Sequence, residues 1–121
     1  MFNCRMLVIV LIFIVLDILT GLLKGWKTNS LNSTKMRTGM IAKLSEFAAC
    51  LFGFFVEMAL PELGITIAIK FGAAICTYTV LMEICSIIEN IGTVNEPVGK
   101  MLSHVFEKLR AEYGDKEQDS E

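Results

Sequence analysis

Six ionisable side chains stand where oil is expected: Asp17 in an apolar run at 4–23, Lys43, Glu46 and Glu57 in a run at 40–60, and Lys70 and Glu83 in a run at 64–88. A charged group in a lipid-facing helix costs about 2.5–3.5 kcal/mol at the bilayer centre on insertion scales, so each must turn toward a partner or water. The chemistry open to such groups is ion pairing and the lining of a wet path. Bond-making chemistry has little material. Cys4, Cys50, Cys76 and Cys85 show no CxxC spacing and no neighbouring histidine, and three of them sit inside apolar runs as small packing residues. His104, the one histidine, reads as a solvated surface residue. No catalytic residue, cofactor site or metal site is drawn from the sequence, and an enzyme is not expected.

The elements that hold these groups follow from composition. With 54% apolar residues, 20% charged residues and a mean hydropathy of +0.58 over 121 residues, the chain is too apolar for an ordinary soluble domain of its size. The net charge of −2 divides unevenly, since 1–95 carry seven bases and six acids while 96–121 carry four and seven. Neither part has the basic surplus of a nucleic-acid binder. Arg5 followed by an apolar stretch looks like the start of a signal peptide, but the residues after Asp17 lack a small-x-small cleavage pattern. The first run is therefore expected to be a retained anchor.

The reading is an all-α integral membrane protein with three transmembrane helices, at about 4–23, 40–60 and 64–88, plus a short C-terminal amphipathic cytoplasmic helix. Each run reaches roughly 30 Å or more at about 1.5 Å per residue, enough to cross the hydrocarbon layer. Pro61 and Gly64 predict a tight hairpin between the second and third spans. The connection from 24 to 39 carries Lys24, Lys27, Lys35 and Arg37 and no acid. Four uncompensated bases mark a cytoplasmic loop, with Trp26 at headgroup level, so the N-terminus is expected outside and the C-terminus inside the bacterial membrane. The membrane domain then covers 1–92. Val98, Met101, Leu102, Val105 and Leu109 make an apolar stripe on a helix within 93–111, and the charged tail 112–121 is expected to lack structure.

Spacing places the polar residues on seams. In the second span Gly39, Lys43, Glu46, Cys50, Gly53 and Glu57 recur at three- and four-residue intervals, and in the first span Asp17, Thr20, Gly21 and Lys24 do the same. The third span offers two lines: Thr66, Lys70, Ala73 and Thr77 on one side, and Gly72, Cys76, Thr79, Glu83, Ser86 and Asn90 on another. Small residues at such spacing permit close helix approach, the main source of association within lipid. By depth, Asp17, Lys43, Glu46 and Glu83 share the inner leaflet, within roughly 5–9 Å of the inner ends of their spans, while Glu57 and Lys70 are placed to pair near the outer side. Three inner acids face one base, so either a closed three-helix monomer keeps one or two carboxyls protonated or the acids meet water or a second copy, and the second arrangement is expected. The seam of Asp17, Thr20, Gly21, Lys43, Glu46, Gly53, Glu57, Lys70, Gly72, Cys76, Thr79, Glu83 and Ser86 is thus the candidate oligomer or pore face, and a homo-oligomer in the lipid bilayer is expected.

The string Asp17-Ile18-Leu19-Thr20-Gly21-Leu22-Leu23-Lys24-Gly25, the loop with Asn32 and Ser33 that ends in Met36-Arg37-Thr38-Gly39-Met40-Ile41-Ala42-Lys43, and the late Glu83-Ile84-Cys85-Ser86-Ile87-Ile88-Glu89-Asn90-Ile91-Gly92 followed by Pro97 together resemble the toxin-secretion/phage-lysis holin family. The likeness covers about residues 10–109. It implies a small bacteriophage protein, or a relative in a bacterial toxin locus, that gathers in the host cytoplasmic membrane and forms lesions through which an endolysin or toxin leaves. No catalytic role comes with the resemblance. Two other classes are compatible with the same seams: a small regulated channel subunit, and a membrane anchor or antiholin-like adaptor that holds a soluble partner through the helix at 97–109.

Overall fold

A computed structural model describes residues 4–119, with side chains described to residue 112, and every regular element in it is a helix. The order is α1 (Cys4–Lys27), α2 (Ser33–Glu62), α3 (Phe71–Val94) and α4 (Glu96–Asp119). The first three are long and apolar enough to cross a bilayer. Their outward faces remain apolar and exposed, with Val8, Ile12, Val15 and Leu19 on α1 and Leu44, Phe52 and Phe55 on α2. In water such a surface would be untenable. In hydrocarbon it is the ordinary exterior of a membrane helix.

Contacts between residues define the topology. Asp17 meets Ser86 and Asn90, and Lys27 meets Thr93 and Val94, so α1 and α3 run parallel. Lys43 meets Glu83, Cys50 meets Thr79, and Glu57 meets Gly72, so α2 runs antiparallel to α3. The third helix lies in the middle and packs on both others, whereas α1 and α2 touch each other little. A small apolar core of Leu7, Val10, Ile14, Cys50, Phe54 and Cys76 fills the half of the bundle away from the basic helix ends.

Close approach of α2 and α3 depends on two glycines. A Cβ on Gly53 would stand 3.0 Å from the Gly72 Cα and 3.1 Å from the Phe71 carbonyl oxygen, and a Cβ on Gly72 would strike the Phe54 ring. At the other end of α3, a Cβ on Gly99 would collide with the backbone of Gly92, so α3 and α4 cross in direct main-chain contact just after the one-residue break at Asn95.

Helix boundaries differ from the sequence expectations in three places. Pro61 does not end α2 but lies in its last turn, where the kink it causes has little helix beyond it to redirect, and termination waits for Gly64 at φ +80°. The α2–α3 connection is consequently not a tight hairpin: it runs 63–70, and α3 begins only at Phe71. Ile65, Thr66, Ile67 and Ile69 are β-branched and hold weak helix propensity. Thr66 therefore falls off the helical line drawn for it, and Lys70 becomes the residue that precedes α3. The bases assigned to a loop belong to helix ends instead, because α1 extends through Lys24 and Lys27 and α2 already contains Lys35 and Arg37; only 28–32 connect them. Finally, the tail expected to lack structure from Glu112 stays helical to Asp119, in keeping with the helix-forming Glu112, Lys116, Glu117 and Gln118; Ser120 and Glu121 lie outside the described residues.

Gly53→Leu should lower stability against detergent unfolding by about 1–3 kcal/mol through overpacking. Gly39→Leu, where a Cβ meets nothing within 4 Å, should change it little. Equal losses from the two variants, followed by helical circular dichroism, would contradict the glycine contact.

Candidate functional site

The polar seams of α1, α2 and α3 converge on one ionic cluster. The Lys43 ammonium donates to both oxygens of Glu83, at 2.7 Å to Oε1 and 2.8 Å to Oε2, and forms an ion pair with Asp17 Oδ2. Glu46 Oε2 lies 3.8 Å away on the next turn of α2. Asp17 Oδ1 accepts a hydrogen bond from Ser86 Oγ at 2.7 Å and another from Asn90 Nδ2 at 2.9 Å; Asn90 Nδ2 also reaches Thr20 Oγ1 at 3.1 Å. One cation on α2 is thereby tied to acids on both other helices.

Burial makes this arrangement consequential. The Glu83 side chain is 2% exposed and Asp17 6%, whereas Glu46 is 38% exposed. Both deeply buried acids are satisfied by hydrogen bonds, as buried charge requires. Glu46 Oε2 is the exception: it is buried and has no hydrogen-bond partner. Lys43 has three N–H bonds and spends its short contacts on Asp17 and Glu83, which leaves Glu46 the surplus acid at the edge of the cluster.

Other members of the predicted seam have different work. Glu57 Oε1 accepts the Gly72 N–H at 2.7 Å, so a carboxylate from α2 caps the start of α3 where the helix dipole favours negative charge. The expected Glu57–Lys70 ion pair is not among those of the described residues. Cys50 Sγ lies 3.7 Å from Thr79 Oγ1, and Cys76 is buried beside them with its thiol free. Gly72, Cys76, Thr79, Glu83 and Asn90 are all buried within the chain, with Ser86 partly so. This line of α3 therefore faces α1 and α2 and does not by itself ask for a second copy. Gly21 stands beside Asn90, and Gly53 is taken up in the α2–α3 contact.

Sequence reasoning did not foresee the role of Lys27. Its Nζ donates to the carbonyls of Thr93 at 3.0 Å and Val94 at 2.9 Å, capping the C-terminus of α3 from the end of α1. A lysine in the last turn is a visible signal, but its recipient is another helix sixty-six residues on. Asn90, which donates to both Asp17 and Thr20, falls on the polar stripe expected for the third span but outside the candidate face. Lys24 and Lys35 flank a cleft of about 450 Å³ that descends between α1 and α2 to Asp17 and Lys43.

Three bilayer-length apolar helices around a buried ionic knot, with no metal-ligating group among the described residues, define a small multi-pass membrane protein. The chain belongs to the bacteriophage holin family, whose model matches residues 3–111, nearly the whole chain. This is not an enzyme family. The chain is 32% identical over 108 residues to the Halalkalibacterium halodurans protein BH0965, covering 88% of this chain and 79% of that one. It is 27% identical over 110 residues to the Bacillus subtilis protein YqxH, covering 91% and 73% respectively. No solved structure matches the chain significantly.

Removal of the shared cation should be the most damaging single change. Lys43→Met leaves buried carboxylates uncompensated and should cost about 3–5 kcal/mol in detergent unfolding. Adding Asp17→Asn and Glu83→Gln to Lys43→Met should recover most of that loss. A Lys43→Met protein as stable as the parent would show that the ionic knot does not hold the bundle.

Proposed function

We propose that the protein is a holin that accumulates in the bacterial cytoplasmic membrane as a harmless helical bundle, oligomerises, and opens lesions that release an endolysin or a secreted toxin. The observation that carries this reading is the unequal ionic cluster: one ammonium serves Asp17 and Glu83, and Glu46 Oε2 remains beside it without a hydrogen bond. An isolated bundle holds a surplus carboxylate at its rim, in the inner half of the membrane. A second copy or a wetted lumen relieves it, since the desolvation of a charge ends once water or a donor arrives.

The mechanism follows from which helices are joined. The central α3 binds α1 through Asp17 and α2 through Lys43 and Glu57, whereas α1 and α2 pack far less closely and are joined directly by the Lys43–Asp17 ion pair. Crowded protomers exchange intrachain contacts of the cluster for contacts between chains, and the polar seam turns toward water. Collapse of the membrane potential favours the same step, because a charge moved through the full field is worth about 2.3 kcal/mol per 100 mV. The orientation that fits is N-terminus outside and C-terminus inside, with Lys24, Lys27, Lys35 and Arg37 on the cytoplasmic side. The exposed apolar row of Val98, Met101, Val105 and Leu109 on α4 favours a second reading, an adaptor that holds a soluble partner.

Induced expression in bacteria should produce rapid depolarisation of a potential-sensitive dye together with release of a cytoplasmic muralytic enzyme. Glu46→Gln should delay onset by removing the surplus acid while leaving the bonds of Lys43 to Asp17 and Glu83 intact. Deletion of 97–121 should preserve lesion formation. If depolarisation never occurs, or if the deletion alone abolishes function while the full chain stays silent in the dye assay, the adaptor reading replaces the pore.

A further inference from the structure

The cleft between α1 and α2 is not used by the ionic cluster beneath it. Lys24 and Lys35 stand on its two sides, Ser30 and Asn32 lie at its loop end, and Leu22 and Met36 contribute apolar wall. At about 450 Å³ it falls within the range of small-molecule sites. Neither Lys24 nor Lys35 forms an ion pair among the described residues. Asp17, the acid at the base, is already engaged by Lys43, Ser86 and Asn90, so it does not neutralise the mouth.

We propose that this cleft binds one anionic phospholipid, its phosphate between Lys24 and Lys35 and the upper part of an acyl chain along Leu22 and Met36. Charge complementarity selects an anion, and the apolar wall selects one that carries hydrocarbon. The position selects lipid over a soluble phosphate. The cleft opens where two membrane helices end, at the level of Trp26, whose 74% exposed ring on α1 is of the type that settles among headgroups. Because α1 and α2 make little contact of their own, a chain of hydrocarbon wedged there fills a gap that no side chain fills. Gly39 on α2 lines the same cleft, and a Cβ on it would meet nothing within 4 Å. The inference needs only that the chain sits in a membrane and does not rest on lesion formation.

Native mass spectrometry of the detergent-solubilised full chain, titrated with phosphatidylglycerol or phosphatidylcholine, tests it. One phosphatidylglycerol per chain should be retained with roughly tenfold preference over phosphatidylcholine, the scale of one or two lysine–headgroup contacts. Lys24→Gln with Lys35→Gln should erase the preference. Gly39→Leu, which fills the cleft without altering charge, should weaken retention of both lipids. Arg37→Gln with Lys108→Gln removes the same charge elsewhere and should leave the preference intact. Equal retention of the two lipids by the parent chain overturns the site. So does an equal loss in the Arg37/Lys108 control, which would mean diffuse surface electrostatics, or displacement of the lipid by millimolar inorganic phosphate, which would mean a soluble anion.

Discussion

The bond of Lys43 to Glu83 and Asp17 is the interaction on which the bundle turns. Lipid gives apolar helices no reason to prefer one another over acyl chains, so the assembly depends on groups that lipid rejects and on backbones that approach closely. Lys43 supplies the first, reaching α1 and α3 from α2. Gly53 and Gly72 supply the second, bringing α2 and α3 together without side chains between them. Ser86 and Asn90 then complete the coordination of Asp17, so that Asp17 has donors besides the lysine it shares with Glu83. The construction is also unbalanced, because the third acid of the group, Glu46, keeps only a 3.8 Å ion pair to the same lysine and its Oε2 has no hydrogen-bond donor.

That imbalance connects architecture with the family to which the chain belongs. The surplus acid lies at the edge, 38% exposed, on a helix whose outer face is otherwise lipid-like. The bundle is also strongest along α3 and weakest between α1 and α2, where the cleft with Lys24 and Lys35 opens above the cluster. The described residues thus combine ionic saturation at the centre of the bundle with an incompletely matched acid at its rim.

Much of this was legible in the residues. Three helical spans, their polar seams, and the shared depth of Asp17, Lys43, Glu46 and Glu83 follow from a 3.6-residue period and a fixed rise, both local properties of any helix. The connection at 63–70 was read less well, since Pro and Gly signal a stop without saying on which turn it takes effect, and the β-branched run 65–69 looks as apolar as a span. The spacing thereby sets Lys70 on a helix face it does not occupy, and it gives no sign that Glu57 accepts the Gly72 N–H. The second stripe of α3 likewise looked like a surface for another copy and proved to be covered by α1 and α2 of the same chain.

The amino-acid sequence by itself determined that this chain is helical, that it has three segments long and apolar enough to cross lipid, and which residues share each helical face, because these depend on composition and on spacing along one strand of chain. Only the tertiary structure decided that α3 is central, that Lys43 bonds Asp17 and Glu83 and leaves Glu46 over, that Lys27 closes the end of α3, and that a cleft remains between α1 and α2. Partner choice depends on how helices cross and how near their backbones come, and no periodicity within a single helix carries that distance.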